Sequence, residues 1–391
     1  MKILHIAPAY FPAFYGGGVE AVHLLNKALV KQGVEVYLIT TDVGLKNDSN
    51  IKLNEWIDVE GVKVKYYKHY FDDEHYTFSP NLLWNLFKEI KNYDLIHITG
   101  VWNFPVLAAS LACLISKKPY IISLHGLLYK ETINIKSSFI KKLYFNLIAK
   151  YYLKKANAIH YTTNDEKENI FQKINDTSII IPNGVDLSLF TNLPPKNIFK
   201  NDYQVLKNKR YILFLGRIDK KKGINLLIEA FKKLSEEYRD LFLVIVGPGD
   251  FGYKAKIEKQ LRENKLYERT LFTGMLTGSK KLSAYVDASV FVLSSYSDNF
   301  AMSVVEAMAC NTPVVISDRV GIASDIEEAK AGVVVNLDVE SLYLAIKNLL
   351  ENPNLRQLYS NNGIRLVKEK YNIDQVAKLM IKAYEEVLMN V

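Results

Sequence analysis

The sequence is poor in cysteine, and its first half contains no arginine. The 391 residues include only Cys113 and Cys310, which lie far apart and outside any metal-ligand spacing. This excludes a disulfide framework and a cysteine-based zinc site, and it predicts reduced thiols in a cytosolic protein. Arg210 is the first arginine, so the N-terminal half lacks the forked donor that binds nucleic-acid phosphates well. The net charge of +8 is spread over both halves, as on a solvated surface.

Long hydrophobic runs are also missing. The stretch 95–116 contains no Asp, Glu, Lys or Arg, but Gly100, Asn103 and Pro105 interrupt it. This pattern favours a strand followed by a helix over a membrane span. The N-terminal MKILHIAPAYFP has only a short apolar run, which His5 interrupts, so it predicts a first strand rather than a signal peptide. We expect no transmembrane segment.

Short apolar strands instead alternate with helical segments, as in KILHIA, VEAVHLLNKALVKQ and VEVYLIT at the N-terminus. Such alternation predicts parallel sheets covered by helices on both faces. The chain is too long for one hydrophobic core, and the polar, Pro-containing segment TNLPPKNIFKNDYQVLKNKR indicates a boundary. We therefore predict an α/β fold with two doubly wound Rossmann-like domains, residues 1–190 and 191–374, facing a cleft. Ligands of such sheets bind at the carboxyl ends of strands.

Two loops that follow strands carry features of anion sites. Gly16, Gly17 and Gly18 follow the first strand and open a helix, where a bare backbone and a helix N-terminus favour an anion. The alternative is a flexible turn. In GRIDKKKG, Arg217 follows a strand and Lys222 precedes a helix, so the two cations can hold a diphosphate. The alternative there is a solvated basic turn.

The segment VGPGDFG matches the dinucleotide-binding pattern G-x-G-x-x-G through Gly247, Gly249 and Gly252. That fingerprint also requires an acid at the end of the next strand, but RTLFTGM ends in Thr273 and Gly274. The match is therefore weak evidence for an NAD-linked oxidoreductase.

His125 follows strand YIISL and precedes Gly126, which predicts an imidazole at a strand end, facing the cleft. A structural role is the alternative, and His97 is a second candidate.

Segment 132–155 is rich in lysine and aromatic residues. Phe139, Leu143, Leu147 and Tyr151 recur at intervals of four, and lysines occupy much of the remainder. The pattern predicts an amphipathic helix that packs on the core. A basic helix at a membrane surface is the sharper alternative.

Asp298 and Glu306 lie eight positions apart, around the start of an apolar run. The helix is predicted to begin between Ala301 and Ser303 and to end before Asn311. Glu306 then fits either a capping box with Ser303 or a ligand-binding carboxylate. Two carboxylates near a helix N-terminus suit a polyol that carries a phosphate, and spacing alone does not decide between the two.

Together, these segments resemble glycosyltransferase family 4, the retaining enzymes of the GT-B superfamily, over nearly the whole chain. Asp298 to Glu306 is similar to the family's Glu-x7-Glu element, and Arg217 with Lys222 is similar to its Arg-x4-Lys element. Further similar segments are YGGGVE, SLHG, IPNGVD, FTG and KKLSAYVDASVFVLSS. The family implies that VGPG is a strand-end turn, and it places a C-terminal helix, about 375–391, with the N-terminal domain.

The resemblance implies a nucleotide-diphosphate sugar, with UDP or GDP, in the cleft and a glycan or lipid-linked acceptor held by the N-terminal domain. Arg217 and Lys222 would neutralise the leaving diphosphate, which Gly17 and Gly18 approach from the other domain. Glu306 would hold the ribose hydroxyls and His125 the transferred sugar. Asp298 and the backbone of Asn299, Phe300, Ala301 and Met302 would hold that sugar, and the backbone of Met275 and Leu276 the base.

No metal or other cofactor is expected, because the two cations replace a metal and no Asp-x-Asp motif occurs. The implied setting is polysaccharide or glycolipid biosynthesis in the cytoplasm, with peripheral contact at the inner face of the membrane. Two positions depart from the family, since Asp298 replaces the usual Glu and Ala301 the usual Gly. The alternatives are therefore a nucleotide-sugar epimerase of the same fold, a non-catalytic nucleotide-binding protein and the oxidoreductase.

Overall fold

The structure is a computed structural model that describes residues 1–13, 17–45, 51–71, 76–135, 138–249 and 251–391. It contains two compact units. Unit 1 comprises Met1–Gly184 and Ile373–Val391, and unit 2 comprises Val185–Asn372. The first border thus lies slightly before the predicted one at residue 190, and the C-terminal helix belongs to unit 1.

Unit 1 is built on one eight-stranded sheet with the strand order β3-β4-β2-β1-β5-β6-β7-β8. All neighbouring pairs are parallel except β3 with β4. The strands are β1 Lys2–Ile6, β2 Glu35–Thr41, β3 Trp56–Val59, β4 Val62–Tyr67, β5 Leu95–Thr99, β6 Tyr120–Ser123, β7 Ala158–Tyr161 and β8 Ser178–Ile180.

Helices cover both faces of this sheet, which is why its strands are apolar on both sides. The helices are α1 Gly17–Lys31, α2 Pro80–Glu89, α3 Phe104–Ser116, α4 Lys130–Ile135, α5 Ser138–Tyr144, α6 Lys150–Lys155, α7 Asn164–Glu168 and, at the C-terminus, α16 Ile373–Met389. One core cluster joins the sheet to α2, α3 and α6. A second core cluster joins the opposite face to α1 and α16.

Unit 2 has a six-stranded parallel sheet in the order β11-β10-β9-β12-β13-β14. Its strands are β9 Arg210–Leu215, β10 Leu241–Val246, β11 Thr270–Gly274, β12 Val290–Leu293, β13 Val314–Ser317 and β14 Val333–Val335. The helices are α8 Ile198–Asp202, α9 Ile224–Glu237, α10 Phe251–Glu263, α11 Gly278–Val286, α12 Met302–Ala309, α13 Ala323–Glu328, α14 Val339–Glu351 and α15 Pro353–Lys370. This strand order is that of a doubly wound dinucleotide-type fold, so the prediction of two Rossmann-like domains is confirmed.

The stretch 95–116 forms strand β5 and helix α3, as predicted. Within the described ranges, no helix is long and apolar enough to cross a membrane. Cys113 and Cys310 are both buried free thiols.

The packing predicted for segment 132–155 is wrong in its orientation. Phe139, Leu143, Leu147 and Tyr151, which we expected on the core, are all exposed. The core is contacted instead by a second apolar face that contains Phe145, Ala149, Tyr152 and Leu153. The sequence missed this because both faces of the helical segment are apolar, and periodicity alone does not tell which face packs.

Candidate active site

Strand order brings the cationic loop and the acidic loop of unit 2 together. Strands β9 and β12 are neighbours, although β10 and β11 follow β9 in the chain and lie on its other side. The reversal makes the β9–β12 border the switch point, where doubly wound sheets bind ligands beyond the strand ends. Arg217 and Lys222 follow β9, and Asp298 follows β12.

Backbone contacts hold these two loops against each other. Tyr296 N donates to Lys221 O at 2.7 Å, and Ser294 Oγ donates to Gly223 O at 2.8 Å. Gly223 has φ +65°, and a Cβ there would lie 1.7 Å from Ser294 O. Glycine is required because any side chain would overlap the neighbouring backbone. The short 3-10 helix Lys220–Lys222 begins at Asp219, whose carboxylate accepts from Lys221 N at 2.8 Å.

The two predicted cations differ in their surroundings. The Lys222 ammonium donates to the Asp298 carboxylate, and both side chains are largely buried. Arg217 is exposed and makes no hydrogen bond or ion pair within the described part of the chain. Lys222 is therefore not a solvated turn residue, and Arg217 leaves its five donors available to an anion.

Glu306 is a buried carboxylate on α12 with two partners from α11. Lys281 Nζ lies 2.8 Å from its Oε1, and Tyr285 OH donates to its Oε2 at 2.9 Å. Helix α12 begins after Ala301 without a side-chain cap, so the capping box with Ser303 is wrong. The predicted end is confirmed, because Asn311 follows the helix with φ +60°.

The residues between the two acids form the N-terminus of α12. Ala301 has φ +57° and ψ +66°, a left-handed conformation that is costly for a residue with a Cβ. Phe300 is buried and packs edge-to-face on Tyr371 with ring centroids 5.4 Å apart. Only its backbone can therefore serve a ligand. Asn299 and Met302 are half-buried. The first N–H groups of a helix lack carbonyl partners within it, which makes this end an anion site.

The glycines of the rival motif pack against the Arg217 loop. A Cβ on Gly247 would lie 2.0 Å from Gly216 O, and one on Gly249 would lie 3.1 Å from the Ile218 Cβ. Ile218 N also donates to Pro248 O at 2.8 Å. These two glycines therefore serve loop packing. Asp250, within the motif, lies outside the described residues.

Strand β11 ends beside the same motif, since Gly247 N donates to Gly274 O at 2.8 Å. Met275 is exposed, and Leu276 packs partly on the core. Their backbone follows a strand end, as the predicted contact with a base requires, and that contact stays a prediction.

In unit 1, Gly17 and Gly18 are exposed at the start of α1, and a Cβ on Gly18 would meet no atom within 4 Å. Close packing within the unit therefore does not explain Gly18. Gly16 lies outside the described residues. Contact of these glycines with a diphosphate stays a prediction.

His125 lies two residues beyond β6 in a left-handed conformation with φ +49°. It lines a cavity with Thr99, Asn183 and Gly184. Burial lowers the pKa of His125 to about 3, and His160 and His5 add to this by disfavouring a further positive charge. The ring has no hydrogen-bond partner in the described ranges, so a neutral imidazole faces the cavity.

Behind His125 lies a chain of hydrogen bonds with a fixed direction. His160 Nε2 donates to Ile181 O at 2.8 Å, so its Nδ1 accepts from Ser123 Oγ at 2.6 Å. Ser123 in turn accepts from His97 Nε2 at 2.6 Å, and His97 Nδ1 accepts from Tyr384 OH at 2.6 Å. Burial lowers the pKa of His97 well below its usual value and that of His160 to about 4. His97 is therefore a structural member of this chain.

Four residues near the predicted site were not singled out from the sequence. They are Lys281, Tyr285, Ser123 and His160. Lys281 and Tyr285 are four residues apart on α11, which places them on one helix face, and that spacing could have found them. Ser123 and His160 lie on neighbouring strands, a relationship that the sequence does not reveal. Among the described residues, no group of three or more His, Cys, Asp or Glu side chains could hold a metal ion.

Two family models match the chain. The model for Glycosyltransferase Family 4 matches residues 15–189, and the model for Glycosyl transferases group 1 matches residues 195–366. The chain therefore belongs to the glycosyltransferase family 4 enzymes of the GT-B superfamily, and it is a glycosyltransferase. This replaces the oxidoreductase hypothesis.

The relatives agree with this assignment. An uncharacterized glycosyltransferase of Methanocaldococcus jannaschii is 26% identical over 98% of each chain. The phosphatidyl-myo-inositol mannosyltransferase of Mycobacterium leprae is 30% identical over 55% of each chain. Among solved structures, HepE of Anabaena in complex with UDP and glucose has a TM-score of 0.77 and 18% identity, covering 99% of this chain and 100% of that one. At that identity, the likeness demonstrates the GT-B fold alone.

Proposed function

We propose that this protein is a retaining glycosyltransferase that moves a sugar from UDP-sugar or GDP-sugar to a glycan or lipid-linked acceptor without a metal ion. The observation that carries the proposal is the Lys222–Asp298 pair at the switch point of unit 2, with the exposed Arg217 on the same loop as Lys222. The pair offers a cation for a phosphate and an acid for sugar hydroxyls at one place. HepE of Anabaena, which has the same fold, binds UDP and glucose.

In this mechanism, the bond between the sugar C1 and the diphosphate oxygen breaks, and the nucleoside diphosphate leaves with the electron pair. Arg217 and Lys222 neutralise that developing charge, which is the largest single contribution to be expected from such a site. The acceptor oxygen bonds to C1 on the same face, and its proton passes to the leaving diphosphate. Asp298 orients the sugar, and Glu306 accepts hydrogen bonds from the ribose hydroxyls.

His125 is assigned to the transferred sugar on the family pattern. Its lowered pKa supports this role, because a neutral imidazole both donates to and accepts from a hydroxyl group. It does not add a positive charge next to a sugar that itself becomes positive at the transition state.

The proposed setting is glycolipid or cell-surface polysaccharide synthesis in the cytoplasm, at the inner face of the membrane. The support is the relative from Mycobacterium leprae, whose name gives phosphatidyl-myo-inositol as its substrate. It matches about half of this chain, so the acceptor is proposed only as a class.

Ligand-linked stabilisation tests the donor site. The melting temperature is measured with UDP, GDP, ADP and NAD, each with and without EDTA. A ligand at a hundred times its Kd stabilises by about 2.7 kcal/mol, enough for a clear shift. We expect one nucleoside diphosphate to stabilise the protein equally with and without EDTA. A shift that EDTA abolishes would contradict the metal-free mechanism, and no shift with any nucleotide would contradict the donor site.

Product stereochemistry tests the transfer itself. With the donor that this screen identifies, the anomeric configuration of the product is read by NMR. Retention relative to the donor supports the same-face mechanism, and inversion would overturn it. An epimerase would convert the donor sugar without any acceptor, so a reaction that requires the acceptor separates the two activities.

A further inference from the structure

Segment 138–155 of unit 1 exposes an apolar stripe to solvent. Phe139 and Leu147 are 78% and 70% exposed, and Leu143 and Tyr151 are exposed as well. Ile140 and Ile148 add to the same helical segment. Large apolar side chains that are exposed singly are ordinary, but a run of six marks an interaction surface.

The stripe is kept in line by the backbone. An interval of four residues drifts by about 40° per step around an α-helix, because one turn holds 3.6 residues. Residues Phe145–Ala149 form a π-helical turn between α5 and α6. A π turn holds more residues and reduces that drift. The opposite face, with Phe145, Ala149, Tyr152 and Leu153, is buried in the core, so the segment is anchored while its outer stripe stays free.

A neighbouring helix extends the apolar surface. Helix α3 packs against α6, and its Leu111 and Ile115 are exposed, four residues apart on one helix face.

The charge of the segment is of one sign. Residues 132–155 contain no Asp or Glu. Lys154 and Lys155 are exposed at the end of α6, and Lys141, Lys142 and Lys150 are half-exposed. Long lysine side chains can place their ammonium groups beside an apolar surface while they stay in water. An apolar stripe with flanking lysines complements the acyl chains and the negative headgroups of an anionic bilayer.

We propose that this surface, formed by the exposed residues of segment 138–155 with Leu111 and Ile115, docks the protein on the anionic face of a membrane. The apolar stripe enters the headgroup region, and the lysines bind lipid phosphates. A second copy of the chain fits less well, because a symmetric contact would bring two acid-free lysine clusters together. The inference rests on the proposed function only in that docking would bring the enzyme to a lipid-linked acceptor.

Vesicle sedimentation tests the surface. The full-length protein is spun with vesicles of phosphatidylcholine, alone or with 30% (~) phosphatidylglycerol, at low and physiological salt. We expect binding to the anionic vesicles and weaker binding at the higher salt. The variant Lys154→Gln/Lys155→Gln should bind about 30-fold more weakly, at roughly 1 kcal/mol per lysine. The variant Phe139→Ser/Leu147→Ser should lose at least ~10-fold, because two large apolar side chains no longer enter the bilayer.

Matched controls carry the same changes on unit 2. Leu344→Ser/Leu358→Ser alters exposed leucines of α14 and α15, and Lys232→Gln/Lys256→Gln alters exposed lysines of α9 and α10. Both controls should bind vesicles like the unaltered protein. Circular dichroism and the melting temperature confirm that each variant is folded.

Three outcomes would overturn the surface. They are no binding to anionic vesicles, binding that the segment variants leave unchanged, or a dimer in sedimentation velocity that Phe139→Ser/Leu147→Ser dissociates. Failure of the surface is distinguishable from failure of the proposed function. The segment variants should keep their stabilisation by a nucleoside diphosphate and their transfer to a soluble acceptor.

Discussion

Lys222 donates a hydrogen bond from its ammonium group to the carboxylate of Asp298, across the border between the β9 and β12 loops. The cation assigned to the leaving diphosphate and the acid assigned to the sugar therefore neutralise each other while the site is empty. A diphosphate competes with Asp298 for Lys222, and a freed Asp298 can then accept hydrogen bonds from sugar hydroxyls. Donor binding would thus exchange one ion pair for two ligand contacts.

Arg217 and Lys222 should affect turnover alike but stability differently. Arg217→Ala and Lys222→Ala should each lower kcat by at least ~100-fold, the scale of one lost stabilising donor. Arg217→Ala should leave the melting temperature unchanged, because its side chain is exposed and unpaired within the described ranges. Lys222→Ala should lower it, because Asp298 keeps a largely buried charge without a partner.

The control for this pair of variants is Lys220→Ala, which removes an exposed lysine from the same turn. Its turnover should match the unaltered enzyme. Near-normal turnover of both Arg217→Ala and Lys222→Ala would refute the assignment of the leaving-group site.

Glu306→Gln should weaken donor binding while the fold survives. Tyr285 can still donate to a Gln carbonyl, but the charge that attracts two ribose hydroxyls is lost. Hydrogen bonds to a charged group contribute about 1.5–3 kcal/mol, so we expect Kd to rise roughly 10-fold to 100-fold. Calorimetric titration with the nucleoside diphosphate measures this change.

Lys281→Met is the matched variant on the other side of that ion pair. It removes the 2.8 Å contact with Glu306 but keeps the carboxylate and its bond from Tyr285. Stability should fall in both variants, whereas donor affinity should fall mainly in Glu306→Gln. If the two variants lost the same affinity, Glu306 would be a structural partner of Lys281 rather than a ribose ligand.

The sequence predicted the fold and the loops of the site well, because both depend on local patterns. Apolar strand runs and helix signals recur along the chain, and they led to two doubly wound sheets. Arg217, Lys222 and Asp298 could be placed at strand ends by inspection. Their pairing could not, because it depends on which strands are neighbours, and β9 pairs with β12 across 74 intervening residues (from 215 to 290).

Two predictions failed or stayed open for physical reasons. Ser303 and Glu306 have capping-box spacing, but the helix begins at Met302, so Glu306 lies too far along it. Segment 138–155 has apolar residues all round, and only tertiary packing selects the face that contains Phe145. Local pattern carries no information about such choices.

Gly223→Ala should strongly destabilise unit 2. Its Cβ would overlap Ser294 O at 1.7 Å, and its φ of +65° disfavours any side chain. The two loops would have to separate, so we expect a loss of more than ~3 kcal/mol of unfolding free energy. Gly278→Ala is the control, because Gly278 has φ +54° but no atom within 4 Å of its Cβ. It should cost only about 1 kcal/mol. Equal losses in chemical denaturation would show that backbone conformation, not loop packing, explains the need for glycine.

The buried histidines of unit 1 predict a stability that falls on mild acidification. Burial lowers the pKa of both His5 and His160 to about 4 in the folded chain, against about 6.5 in the unfolded chain. Between these values the unfolded chain binds protons that the folded chain does not, so the unfolding free energy falls as pH decreases from about 6.5 to 4. Each histidine contributes a slope of up to ~1.4 kcal/mol per pH unit.

Tryptophan fluorescence isolates this effect, because all three tryptophans, Trp56, Trp84 and Trp102, belong to unit 1. Urea unfolding followed by fluorescence at pH 7, 6 and 5 gives the slope of the unfolding free energy with pH. His160→Gln keeps a donor for Ile181 O but removes one titrating group, so its slope should be shallower by up to ~1.4 kcal/mol per pH unit. An unchanged slope in that variant would mean that His160 is protonated in the folded chain. The one-directional chain from Tyr384 to Ile181, which requires its neutral ring, would then be wrong.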